Sequence, residues 1–105
     1  MNCKVNVKVN NLNNRKLRVI LIDVDPIKND LLGEKSTNKT EELEFIFSLS
    51  ESGEYNPELQ IKIFDEENNL IKESEINSEI SGWSRDKVTG MFEKTTIEIS
   101  PISII

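Results

Sequence analysis

With 105 residues, 36% of them hydrophobic and 30% charged, the chain can bury one core, which excludes a disordered tail or a pair of domains. Its net charge of −6, from 19 acids against 13 bases, argues against a partner built on phosphate, nucleic acid included. No apolar run approaches the ~18–20 residues of a membrane helix, and MNCKVNVKVNN lacks the continuous apolar stretch of a signal peptide, so a cytoplasmic protein is expected.

Period two dominates from the first residues. Cys3, Val5, Val7 and Val9 alternate with Lys4, Asn6 and Lys8, the pattern of a half-buried strand. Cys3, the single cysteine, falls in phase with the valines and is expected to pack as a small apolar side chain. Leu17 to Val24 (LRVILIDV) is a second strand. Val19 to Ile22 is apolar on both faces, which fits a central strand covered twice or one whose outer face meets a partner. The basic trio Arg15, Lys16 and Arg18 beside its start is expected to be a solvated strand end.

After the acidic stretch that follows, Leu31 and Leu32 open a short segment ending near Thr37. Leu43, Phe45, Phe47 and Leu49 then share one face of the cleanest amphipathic strand, with both Phe rings expected in the core. SESGEYNP (Ser50 to Pro57) is a loop. Leu59, Ile61 and Ile63 form the next strand, and DEENN (Asp65 to Asn69) joins it to a partner at Leu70 to Ile76 through residues that tolerate tight turns. A small hairpin is expected around Thr89-Gly90. Thr95 to Ile99 alternates again, and Pro101 predicts an edge strand or a bend. No apolar pattern of helical spacing persists for a dozen residues. About seven or eight strands separated by turn signals predict an all-β fold, an antiparallel β-sandwich spanning 1–105 as one domain.

IDVDPIKNDLLGE, residues Ile22 to Glu34, carries the chain's most chemical pattern. Asp23, Asp25 and Asp30 could offer the hard oxygen ligands that calcium takes, with Asp30 closing over an ion from across the loop. The bland alternative is a turn: aspartates at a strand exit accept backbone N–H groups in Asx-turns, and Pro26 presets a turn angle. Both readings stay open at this point. DVDPIKNDLLGE resembles a calcium-binding loop of the calcium- and phospholipid-binding domains of synaptotagmins and protein kinase C. That resemblance implies a calcium-responsive ligand- or membrane-binding domain using these three aspartates. The loop near the N-terminus, which supplies further aspartates in those domains, is here NNLNNR.

A longer span, Lys16 to Glu75, resembles transthyretin-like (prealbumin-like) sandwich proteins. The shared pattern runs ILIDVDP, NDLLGE, a turn at STNKT, then LEFIFSL, PELQIKIFD and NNLIKES. One branch of those relatives is enzymatic and uses histidines and an arginine. This chain has no histidine, so the resemblance implies a non-enzymatic module that binds a protein partner or assembles with its own copies, with no cofactor. Contact residues expected for such a role are Trp83, the lone tryptophan in SGWSRDKVTG, and the apolar C-terminal Ile102, Ile104 and Ile105, which have no evident cover in the sequence.

Overall fold

Alternation becomes strand throughout the computed structural model, which describes residues 2–48, 57–78, 80 and 96–105. Among these residues there are seven strands and no helix: β1 (Asn2–Asn11), β2 (Leu17–Asp23), β3 (Asp30–Thr37), β4 (Glu41–Ser48), β5 (Leu59–Phe64), β6 (Leu70–Glu73) and β7 (Thr96–Ile104). They form two sheets, β4-β1-β7 and β3-β2-β5-β6, stacked as a β-sandwich. Every neighbouring pair is antiparallel except β1 and β7, which run parallel with Lys4 beside Thr96 and Asn11 beside Ile104.

The inner faces are those the alternation specifies. Cys3, Val5, Val7 and Val9 of β1, with Leu43, Phe45 and Phe47 of β4, belong to one core cluster with Leu17, Val19 and Leu21 of β2 and Leu59, Ile61 and Ile63 of β5. Full burial of such a side chain is worth about 1.5–3 kcal/mol, so this cluster is the main force joining the sheets. Burial also pushes the Cys3 thiol pKa up, as expected of a small apolar-like residue and not of a reactive thiolate. Gly33 has a packing role. A Cβ there would stand 2.7 Å from Cδ1 of Phe45, so the missing side chain of β3 leaves room for an aromatic ring of β4 across the sandwich.

Turns follow the chemistry of their residues. Asn14 (φ 49°) and Asn68 (φ 65°) occupy the left-handed region, where asparagine is tolerated far better than branched residues. In the β5–β6 turn Asp65 Oδ1 accepts the backbone N–H groups of Glu67 and Asn69, both at 2.9 Å. In the β1–β2 turn the buried Asn11 side chain accepts from Arg15 N–H at 3.0 Å and donates to Arg15 C=O at 2.7 Å.

Differences from the sequence expectation concentrate at chain ends. The segment after Ile99 does not stop at Pro101. β7 runs on to Ile104, its register with β1 shifting between Val7 and Val9, so that the proline sits in the irregularity of an edge strand. β6 is shorter than expected. Beyond Glu73 the chain stays beside β5 through Ser74 N–H to Ile61 C=O and a reciprocal pair between Leu59 and Asn77. The expected hairpin at Thr89-Gly90 and most of the Ser50 to Pro57 loop lie outside the described residues.

Candidate functional site

β2 ends on Asp23, and the antiparallel register sets Asp23 opposite Asp30, the first residue of β3. Asp23 is 1% exposed, and its carboxylate accepts the backbone N–H of Glu58 at 2.9 Å. Val24 N–H donates to Glu58 C=O at 2.8 Å, so the strand exit is tied to the entry of β5 by two bonds. Asp25 faces its own loop: its Oδ1 accepts Ile27 N–H at 3.0 Å, while its N–H donates to Asn29 Oδ1 at 3.1 Å. The first is an Asx-turn bond, and the second closes the loop from Asn29 back to Asp25. Among the described residues no group of three or more Asp, Glu, Cys or His side chains is placed to hold a metal ion. The pattern brings Asp23 and Asp30 together across a ladder and assigns Asp25 to the turn. The bond from Asp23 to Glu58 was not legible in the sequence, because its partner is a backbone group 35 residues away.

The basic trio at the other end of β2 is engaged by acids. Arg15 lies 3.9 Å from Asp65, Lys16 lies 3.6 Å from Glu66, and Arg18 Nη1 donates to Glu34 at 2.9 Å. The Arg18 guanidinium also lies 4.6 Å from the centre of the Phe64 ring and donates to Asn68 Oδ1. One side chain of β2 thereby ties β3, β5 and the β5–β6 turn on the outer face. Backbone donors from Asn69 and Glu67, with Arg15 beyond them, hold the Asp65 carboxyl below its ordinary range against the opposing effect of burial. A cleft of about 540 Å³ opens beside this cluster, lined by residues that include Leu17, Thr37, Asn38 and Glu41. Of its charged lining, Lys16 pairs with Glu66, while Arg18 and Asp65 pair with Glu34 and Arg15 beyond the cleft.

The outer faces of the two sheets differ. On β4-β1-β7 the outward positions include Glu42, Glu44, Lys4, Asn6, Lys8 and Glu98, with a Lys4–Glu44 ion pair at 3.6 Å and an Asn6 to Glu98 bond at 2.9 Å. They also include one large apolar side chain, Ile46, which is 56% exposed. On β3-β2-β5-β6 the ladders align Leu31 with Ile22, Arg18 with Phe64, and Phe64 with Leu70. Ile22 is buried and Ile20 half-buried although both point outward, while Leu31 and Leu70 are 61% and 46% exposed. The two-sided apolar character of β2 is therefore met partly by neighbours in its own sheet, and the rest faces out.

Of the residues expected to contact a partner, Ile102 and Ile104 are covered by the chain itself. β7 carries both into the core at 9% and 2% exposure, because Ile102 pairs with Val9 and Ile104 with Asn11. Only Ile105, 81% exposed, remains outside, with its C=O accepting from Arg15 at 3.1 Å. Trp83 lies outside the described residues.

No family model matches the chain, and no curated protein does. Among solved structures it is similar to a 9R-lipoxygenase from Cyanothece PCC8801, with a TM-score of 0.58 at 13% identity. That likeness covers 98% of this chain and 16% of the lipoxygenase, so the present chain spans about a sixth of that protein's length. At that identity the likeness supports the sandwich fold and nothing about chemistry. Among the described residues no helix is long and apolar enough to cross a membrane.

Proposed function

We propose that this is a non-enzymatic, transthyretin-like β-sandwich that works as a protein-binding or assembly module, using the outer face of β3-β2-β5-β6 as its contact surface. The observation that carries this reading is the apolar set on the outer face of β3-β2-β5-β6, where Leu31 lies beside Ile22, Leu70 lies beside Phe64 and Ile20 is half-buried on β2. The outer face of β4-β1-β7 is instead mainly charged and polar, with Ile46 its one exposed large apolar side chain among the described residues. Apolar residues clustered on one face are the ordinary mark of a protein contact. The segments that carry the transthyretin-like resemblance support the family reading, since they become β2 to β6 in unbroken order. A chain without histidine lacks the commonest acid/base group, which supports a binding role. Light scattering over a range of concentrations tests assembly. The wild-type mass rises above that of one chain, and the double variant Leu31→Asp/Leu70→Asp stays at one chain throughout. Wild-type protein that remains a single chain at every concentration overturns self-assembly through this face.

A further inference from the structure

The cleft beside Leu17 and Thr37 holds one charge that the fold leaves unanswered. Five charged side chains line it, and four are paired: Lys16 with Glu66, Arg18 with Glu34, and Asp65 with Arg15. Glu41 is the fifth. Among the described residues no base lies within ion-pair distance of its carboxylate, and no hydrogen bond reaches it. The turns at this end of the sandwich, residues 12–16, 38–40 and 65–69, all belong to the described residues.

Strand register explains the position of this carboxylate. β1 sets Val9 beside Glu41 and Val7 beside Leu43, so Glu41 shares the inward phase of Leu43, Phe45 and Phe47. It is half-buried where β4 begins, at the mouth between the two sheets. A charge drawn partly out of water is stabilised by an opposite charge beside it. Buried Leu17 gives the same cleft an apolar wall, and Ser36 and Asn38 add exposed polar side chains. The volume of about 540 Å³ suits a small molecule. Calcium is a poor match, because it takes about six to eight oxygen ligands and Glu41 is the single unpaired acid of the lining. An anion is a poor match too, since Lys16 and Arg18 already face acids of their own.

We infer that this cleft binds a small organic cation, a primary ammonium group on a short apolar chain, with Glu41 as its counter-ion. Leu17 packs against the chain, and the side-chain oxygens of Ser36 and Asn38 accept N–H groups that Glu41 leaves over. Neither Leu31 nor Leu70 lines the cleft, so this inference stands or falls independently of assembly through the outer face.

The test titrates the full chain with n-butylammonium, butyrate and n-butanol at matched ionic strength, reading amide chemical shifts by NMR. The three share a chain length and differ in charge. Butylammonium gives saturable shifts at Leu17, Ser36, Asn38 and Glu41, with a dissociation constant on the order of 1 mM, about tenfold tighter than butyrate or butanol. Glu41→Gln weakens butylammonium about tenfold. Glu42→Gln removes the same net charge one residue along, on the outer face, and leaves the affinity unchanged. A circular dichroism melt reports whether each variant is folded, and the comparison of the three ligands on wild type tests the cleft without any variant. Absence of saturable shifts, shifts confined to other residues, or butyrate or butanol binding as tightly as butylammonium each overturn the inference. Folded Glu41→Gln that binds butylammonium like wild type does the same.

Discussion

Asp65 shows how much one carboxylate can organise at a surface. It accepts three hydrogen bonds inside the five-residue β5–β6 turn, two from main chain and one from Asn69 Nδ2 at 3.3 Å, with Arg15 nearby. These donors favour the charged form, so its pKa lies below the ordinary carboxylate value. A pKa lowered on folding contributes stability above the unfolded-state value, about 4, and that contribution is lost as pH falls through the folded value. Asp65→Asn keeps an acceptor of the same shape and removes the charge. The melting temperature of this variant should lie below that of wild type at pH 7, with the gap closing as pH falls through the folded value and wild type protonates. An unchanged gap in acid would place the effect elsewhere. Asp23 makes the complementary case of a buried carboxylate fixed to backbone. Asp23→Ala leaves Glu58 N–H without this acceptor at a part-buried seam and should cost about 1 kcal/mol or more in denaturant unfolding. Calcium at millimolar concentration should leave the wild-type melt where chelator does, whereas a site held at a hundred times its Kd would add about 2.7 kcal/mol. A calcium-dependent rise, abolished by Asp25→Asn, would restore the metal reading of the loop.

At the level of elements, β7 is where sequence and fold diverge most usefully. Alternation alone placed β1, β2, β4 and β5 because each buries every second side chain, and Phe45 and Phe47 went inward as their spacing required. The same alternation runs through Thr96–Ile99, is broken by Ser100-Pro101, and resumes at Ile102. Local pattern cannot show that the two halves form one strand, because what joins them is the ladder to β1 at the other end of the sequence. The acidic loop was legible as a turn through Pro26 and Asp25. Its anchor to Glu58 and the role of Asn11 were hidden, since main-chain partners leave no mark on sequence. The tail once without cover is structural, which makes a sharp prediction. Truncation after Ser100 removes two buried isoleucines, each worth about 1.5–3 kcal/mol, and exposes the end of β1. Against a typical domain stability of about 5–15 kcal/mol this should lower the melting temperature markedly or abolish the cooperative transition. Ile104→Ala, a milder change, should cost about 2–5 kcal/mol in denaturant unfolding. A truncated chain that melts like wild type would show that β7 ends before Pro101.

For the whole molecule, the decisive contact is the parallel seam between β1 and β7, which brings the two ends of the sequence together. Asn6 and Glu98, bonded across it, are 92 residues apart, while the β5–β6 hairpin closes through Asp65 and Asn69. Loop-closure entropy rises with separation, and folds rich in distant pairings fold on the millisecond-to-second scale. The hairpin can therefore form before the seam, and the seam closes on a sandwich already largely assembled from β1 to β6. Mutations report that order through the way their cost divides between folding and unfolding rates. Ile97→Val in the seam and Ile63→Val in β5 remove the same methylene from fully buried positions and should each cost about 0.5–1.5 kcal/mol. In stopped-flow kinetics across denaturant, Ile97→Val should mainly speed unfolding, and Ile63→Val should also slow folding. If Ile97→Val slowed folding by its whole energetic cost, with unfolding untouched, the chain ends would have to meet in the nucleus. β7 would then direct folding instead of completing it.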